Sequence, residues 1–345
     1  MLQIITLDDI EKWDEIVNSF NACDVHYLAN YVKAFRINGE GEPILFYYND
    51  DITRAVNVVI KRDIALHDAF KSKLPINTYF DLCTPYGYGG FLIEGESHQA
   101  VNEAYDDYCK EQGYVSEFVR FHLFNDFKLY YAGTSEIIAP HVVRSLEMPL
   151  DDMLMDFEHK VRKSLKKSAR AGLEIKIETT NAMLEEFLKI YYGTMERSNA
   201  KEDFYFSAEF FHNIGEMKGN FVYFYVLYEG KVISTELVIH GVENCYSFLG
   251  GTDHNYFHLC ANNFLKYEII KWAKEKGLKR FVLGGGYSAE DGIFKYKKSY
   301  APNGINNFYI GEKIFAEDKY KELLKIRRKE PNFEENSLFF PLYRR

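Results

Sequence analysis

The sequence predicts an α/β protein of the α+β kind, with mixed, mostly antiparallel sheets flanked by helices, and the pattern occurs twice. Three observations carry this. The chain has 345 residues, and at roughly 100–200 residues per domain that suggests two domains. Segments of two-residue and of helical periodicity alternate along it. Both halves run helix, antiparallel meander, helix. A mix of 47% hydrophobic and 27% charged residues excludes a disordered or collagen-like chain.

The elements follow in order. Residues 8–20 form a helix, because Ile10, Trp13, Ile16, Val17 and Phe20 recur at helical spacing and Asp8 or Asp9 can cap it. Residues 44–48 and 54–62 read as a hairpin around the polar turn 49–51. Residues 78–96 read as a strand running into a loop punctuated by Gly and Pro. A helix over about 98–112 ends at Gly113, and strands follow at 114–124 and 141–150. A helix starts near Asp151, with Leu154, Phe157, Val161 and Leu165 as its apolar stripe and Gly172 as its C′ residue. Then come a strand at 173–178, helices at 181–196 and 207–218, and strands at 221–230, 231–241 and 243–252. A helix at 261–277, a strand at 279–286, a last strand and a charged helix close the chain. The boundary is set near Pro149, giving domains over 1–149 and 150–315, with 316–345 packing back on the first. No Ser- or Pro-rich linker marks it.

Charge and cysteine usage bound the function. Against 42 Lys and Arg stand 51 Asp and Glu, a net charge of −9. That argues against wholesale coating of nucleic acid or anionic membrane and leaves room for a local basic site. Cys23, Cys83, Cys109, Cys245 and Cys260 are widely spaced and form no CxxC. A zinc site or disulfide framework is not expected, and the usage suits a reducing compartment. The opening MLQIITLDDIEKWDEI lacks a signal-peptide pattern, and no stretch approaches the ~20 apolar residues of a membrane span. The expectation is a cytoplasmic protein without a transmembrane segment, and with no metal. The 27 Tyr and 28 Phe supply rings for aromatic-lined clefts.

Several motifs carry chemistry. The helix from Asp151 bears Lys160, Arg162, Lys163, Lys166, Lys167 and Arg170 without an intervening acid. It reads either as a face for a phosphate-rich ligand or as a solvated helix face. PYGYGG (85–90) offers Tyr86 and Tyr88 in a glycine-loosened loop, either a ligand groove or a hairpin end. SFLGGTDHNY, with Gly250 and Gly251, and LGGG, with Gly285, end two predicted strands. They read as a slot of exposed backbone or as tight turns. In DGIFKYKKSYAP (291–302), read as extended, Phe294, Tyr296 and Lys298 share one face and Lys295 and Lys297 the other. A lysine there can stabilise an oxyanion or sit on an edge strand. Glu236, inside the apolar run VISTELVIH, is either paired, raised in pKa for base work, or simply outward-facing, the last being the reading preferred from sequence. Arg36–Gly41 matches an acetyl-CoA pyrophosphate pattern but is set aside, because a helix precedes it and a strand follows.

Taken together, YSFLGGT, ANNFLKYEIIKWAKEKGLKRFVLGGG and DGIFKYKKSYAP resemble the GNAT-fold acyltransferases related to the Fem-type (FemABX) aminoacyltransferases and the BioF2-like acetyltransferases. VRKSLKKSARAGLEIKI looks like that family's basic helix opening its second domain. Thr194, Met195, Arg197 and Tyr205 resemble its helix pair, and DLCTPYGYGG, FVRFHLF and ANYVKAF agree in the first half. The long coiled-coil arm of some members and the CoA loop ahead of the helix at 261–277 are both absent. The resemblance implies two tandem GNAT-like domains, the first on the acceptor side and the second on the donor side. It implies transfer of an acyl or aminoacyl group to an amine of a cell-envelope or sugar-linked acceptor, with acyl-CoA or aminoacyl-tRNA as co-substrate and no tightly bound cofactor. With the second of these donors tRNA is a partner; DNA is not a partner with either. Lys297 is the position matching the family's donor- or oxyanion-holding lysine, and Arg197 and Lys33 match its phosphate-holding positions. Glu236, Asp253 and Tyr300 are the candidates for proton transfer. Tyr86 and Tyr88 line the acceptor groove, with Gly250, Gly251 and Gly285 on the substrate path. Arg162, Lys163, Lys166 and Lys167 face the donor. The alternative is a binding protein that kept the fold and lost the chemistry.

Overall fold

A computed structural model describes residues 1–286 and 291–345. The chain opens with β1 (Leu2–Thr6), α1 (Ile10–Asn18) and α2 (Ala29–Ile37). Then come β2 (Glu42–Asn49), β3 (Arg54–Asp63), β4 (Phe80–Cys83), β5 (Leu92–Glu94), α3 (His98–Glu111) and β6 (Ser116–Arg120). It continues through β7 (Thr134–Ser145), α4 (Leu150–Asp156), α5 (His159–Ser168), β8 (Glu174–Glu178), α6 (Leu184–Ser198) and α7 (Ala208–Ile214). Next are β9 (Phe221–Tyr228), β10 (Lys231–His240), β11 (Asn244–Thr252), α8 (Ala261–Glu275), β12 (Arg280–Gly284) and α9 (Gly292–Lys298). β13 (Ile305–Ile314) and α10 (Glu317–Arg327) end it. The mixed, largely antiparallel sheet with flanking helices is the fold class that the sequence predicts. The chain divides into two compact units, Met1–Ile138 with Phe308–Arg345, and Ala139–Asn307. The breaks fall within the long strands β7 and β13, whereas the sequence reading places them at 149/150 and 315/316.

In the first unit the strands run β1-β2-β3-β4-β6-β13, with β5 also on β3. β4 and β6 pair in parallel, and the other pairs are antiparallel. Its core packs Phe46, Phe91, Tyr105, Phe121 and Phe127. Val101, Tyr105 and Cys109 form the buried face of α3, at the i, i+4, i+8 spacing of one helical stripe. Asp9 caps α1 by accepting from Lys12 N at 3.2 Å. α2 indeed precedes Arg36–Gly41 and β2 follows, so that loop lacks the strand-to-helix geometry of a pyrophosphate site. β1 escapes the sequence reading because it is a five-residue strand, largely exposed, with Ile5 as its buried residue.

The chain end is bolted into this unit by Asp81 on β4, which is fully buried. Arg62 Nε donates to it at 2.8 Å, Arg344 Nε at 2.5 Å and the Tyr343 hydroxyl at 2.8 Å. Burial pushes the Asp81 carboxyl up, but Arg62 and Arg344 outweigh it and hold the group below its ordinary value.

In the second unit the order is β7-β12-β11-β10-β9-β8. β11 and β12 are parallel, and the remaining pairs are antiparallel. α6 packs on β10 and β11, and α8 on β9, β10 and β11. Two sequence expectations are corrected here. The single helix from Asp151 is two, because Phe157 and Glu158 are extended, at ψ 146 and 148. The stripe survives the break, since Phe157 and Val161 are both buried. The segment read as extended, 292–298, is the helix α9, capped by Asp291, which accepts from Phe294 N at 2.6 Å. Phe294 and Tyr296 alternate as in a strand while Ile293, Tyr296 and Tyr300 recur at helical spacing, and the Asp cap decides between the two.

The carboxyl held low at Asp81 contributes stability above the unfolded-state pKa of about 4, and that contribution is lost as pH falls through the folded value. Asp81→Asn is expected to cost about 3–5 kcal/mol at pH 7, because it leaves two partly buried guanidinium groups without their counter-charge. It should also flatten the acid limb of stability against pH, measured by denaturant unfolding from pH 7 downward.

Candidate active site

The site arises where two strands part. β11 pairs with β12 only over Asn244–Tyr246 and Arg280–Val282. Beyond that β11 runs on to Thr252, while β12 turns away at Gly284, whose φ is +79°, a conformation that favours glycine. A bulge in β11 adds to the divergence. Leu237 faces Leu249 but Val238 faces Ser247, so Phe248 is the extra residue. A cavity of about 440 Å³ opens there. α6 contributes Thr194 and Arg197, β10 Glu236, and β11 the residues from Ser247 to Thr252. The start of α8 adds Cys260–Asn263 and Lys266, and α9 adds Ile293, Tyr296 and Lys297. Cys260, at φ +58°, turns the chain into α8, whose first turn has no side-chain cap.

Lys297 projects from α9 and donates to the Gly285 carbonyl at 2.6 Å. Burial lowers its ammonium to about 8, the Lys266 charge adds to this, and Glu236 and Asp291 offset part of it. Glu236 is not the outward-facing acid of the sequence reading; it is buried at 4% exposure. Alternation along β10 turns it toward α8, where Lys266 Nζ donates to both of its oxygens at 2.5 Å and to Ser247 Oγ at 2.6 Å. Tyr300 is fully buried. Its hydroxyl accepts from Asn263 Nδ2 at 2.7 Å and lies 3.1 Å from the Tyr296 hydroxyl, and burial pushes its phenol up. Arg197 is exposed at the rim, donates to the Thr252 carbonyl at 3.0 Å and lies over the Phe257 ring.

Other candidates sit elsewhere. Asp253 lies outside the lining and accepts from Asn255 N at 3.1 Å and from Lys231 at 3.3 Å. Burial pushes its carboxyl up, but those donors outweigh it and hold it low. Gly250 and Gly251 line the cavity, yet each is also needed for packing. A Cβ on Gly250 would meet the Thr235 carbonyl at 2.5 Å, and one on Gly251 would meet Thr194 Oγ1 at 2.2 Å. Their close neighbours on those sides are β10 and α6, which corrects the picture of an empty backbone slot. Arg162 donates to the Met155 carbonyl at 2.8 Å and to that of Phe157, closing the end of α4. Lys163, Lys166 and Lys167 are exposed on α5. Lys33, Tyr86 and Tyr88 belong to the first unit. Lys33 is half-buried on α2. The Tyr86 carbonyl accepts from the Tyr31 hydroxyl at 2.6 Å. Tyr88 is buried edge-on to His26 and Phe308. Sequence reasoning passes over Lys266, Ser247, Asn263 and His141. Lys266 leaves a readable signal, a lysine in helical phase with the buried Ile269 and Ala273. The other three depend on contacts distant in sequence.

The splayed parallel pair, the helix start beneath it and the partly desolvated lysine at the opening all lie within a span that matches an acyltransferase domain. Residues 155–298 match the family model described as an acetyltransferase (GNAT) domain, a span that contains the whole cavity lining. The chain is related to the Fem-type aminoacyltransferases, as the motifs had suggested. It is 23% identical over 246 residues to the UDP-N-acetylmuramoylpentapeptide-lysine N(6)-alanyltransferase of Weissella viridescens, covering 68% of this chain and 69% of that one. The crystal structure of FemX shares the fold with a TM-score of 0.68 at 14% identity, over 93% of this chain and 99% of that chain. The structure of L-PGS from Bacillus licheniformis shares it with a TM-score of 0.57 at 13% identity, over 92% and 96%. Among the described residues no helix is long and apolar enough to cross a membrane.

Gly251→Ala tests the packing between α6 and β11. The added methyl meets Thr194 Oγ1 and the Ile190 carbonyl, 2.9 Å away. Since the backbone at Ile190 cannot rotate aside, the expected loss is about 1–3 kcal/mol in denaturant unfolding.

Proposed function

We propose that the chain transfers an aminoacyl group from aminoacyl-tRNA to an amine of a peptidoglycan precursor, a reaction of the cytoplasm, where charged tRNA is found. What carries the reading is Lys297, held by the Gly285 carbonyl at the opening between β11 and β12. The donor's carbonyl enters this opening. As the amine attacks, negative charge grows on the carbonyl oxygen, and the Lys297 ammonium neutralises it in a partly desolvated site where such an interaction is strong. Arg197 at the rim and the uncapped start of α8 are suited to phosphate. The proton inventory closes on the substrates. The C–N bond forms, the bond from the carbonyl carbon to the leaving oxygen breaks, and the proton lost by the amine ends on that oxygen. Glu236, Tyr300 and Asp253 are each committed to neighbours in the fold, which gives them positioning work in this reading. The Weissella alanyltransferase, by its name, supports an aminoacyl group as the group moved and a lysine amine of a peptidoglycan precursor as the acceptor.

An acyl-CoA donor is the second reading, favoured by the acetyltransferase match over residues 155–298. Thermal shift separates the two, since a ligand at 100 Kd adds ~2.7 kcal/mol. The expected result is no shift with acetyl- or longer acyl-CoAs, together with transfer from charged tRNA. A CoA shift with no transfer from tRNA would reverse the assignment. Lys297→Ala is expected to lower kcat by about 10²–10³-fold with the fold intact, a loss typical of removing one oxyanion donor. Undiminished turnover would end the reading. Wild-type activity, read across pH, should fall as pH rises through about 8, because the useful form of Lys297 is the ammonium.

A further inference from the structure

The cavity holds a puzzle of pairing. Among the described residues its lining includes one carboxylate, Glu236, and two lysines, Lys266 and Lys297. An ammonium has three N–H donors. Lys266 spends them on the two Glu236 oxygens and on Ser247 Oγ, at 2.5, 2.5 and 2.6 Å. Lys297 makes one hydrogen bond among the described residues, to the Gly285 carbonyl at 2.6 Å. A buried carboxylate left without a partner is strongly attractive to any neighbouring cation. In its absence of competition Glu236 would draw Lys297 into an ion pair and take it from the substrate.

We propose that Lys266 is a positioning residue for acyl transfer: by filling both oxygens of Glu236 it keeps Lys297 out of an ion pair and available to the oxygen of the reacting carbonyl. This deepens the reading of Lys297 given above and rests on it. The placement supports it, because the three bonds join α8 to β10 and to β11 next to the bulge at Phe248, with Lys266 and Glu236 both buried. Among the described residues the titratable groups that act on Lys297 are Lys266 from α8, Glu236 from β10, Asp291 at the start of α9 and His141 from β7. Burial, followed by the Lys297 charge, lowers His141 to about 4, so it is neutral near pH 7. Burial is the main influence depressing Lys297, and the Lys266 charge is the next. The two members of the pair therefore act on Lys297 in opposite senses.

That opposition is the test. Trace labelling of the folded full chain with acetic anhydride across pH, read by mass spectrometry at Lys297, reports its titration without any substrate. Wild type is expected to titrate near 8. Glu236→Gln should move the midpoint down. Lys266→Met should move it up by about one unit or more, as repulsion is lost and a free carboxylate is gained. In turnover, Lys266→Met should lower kcat about tenfold or more with little change in KM, and Lys266→Met/Glu236→Gln should restore it to within about threefold. A pair that only braces the fold would leave the double variant at least as slow as Lys266→Met, since both bracing groups are then gone. Midpoints that stay put or move together, or a double variant as slow as the single, overturn the proposal. If Lys266→Met does not fold, the double variant Lys266→Met/Glu236→Gln decides: kcat within about threefold of wild type supports the proposal and a larger loss overturns it. Transfer that survives Lys297→Ala defeats the functional reading instead, while the labelling still reports on the pair.

Discussion

The constraint on which the site depends is the brief pairing of β11 with β12. Parallel strands hold together only while their backbone groups alternate in register, and here that lasts for three residue pairs before Gly284 turns away. Everything functional is arranged around the resulting gap. The glycines of β11 let β10 and α6 approach from the sides, the bulge at Phe248 re-aims the strand, and α8 begins at its edge. The sheet thus makes a cavity from backbone geometry, and the side chains only decorate it.

Charge is what gives that cavity chemical character. Among the described residues its lining has three cations, Arg197, Lys266 and Lys297, against one carboxylate, Glu236. In a chain with net charge −9 this local reversal marks a place for negative charge, whether carried in by phosphate or developed on a carbonyl oxygen. The three cations are not equivalent. Lys266 is consumed by the fold, Arg197 is fastened to the Thr252 carbonyl at the rim, and Lys297 keeps donors to spare. Burial makes the last of these more effective and also easier to deprotonate, because a desolvated ammonium is less stable in its charged form.

The first unit uses buried charge for a different purpose. Asp81 gathers Arg62, Tyr343 and Arg344, so residues at the very end of the chain are secured to β4. A carboxylate with that many donors is satisfied and inert, whereas Glu236 is satisfied by one lysine that another lysine neighbours. The contrast shows why a buried acid is not in itself a catalytic signal.

The fold class was legible in the sequence, because period-two and helical patterns record which face of each element is buried, and that information is local. β10, β11 and α8 could be placed within a few residues, and the quoted motifs pointed to the acyltransferase class. The same locality explains the failures. The apolar residues of 292–298 fit strand and helix alike until Asp291 caps the turn, and a continuous stripe hides the break at Phe157 and Glu158. Lys297 was singled out from its motif, but Glu236 was misjudged as exposed. By itself the sequence determined the elements, their apolar faces and the acyltransferase likeness. Only the tertiary structure decided that Lys266, thirty positions from Glu236, saturates it and leaves Lys297 without an ion-pair partner among the described residues, because pairing in a low-dielectric interior depends on distances in space that no spacing along the chain encodes.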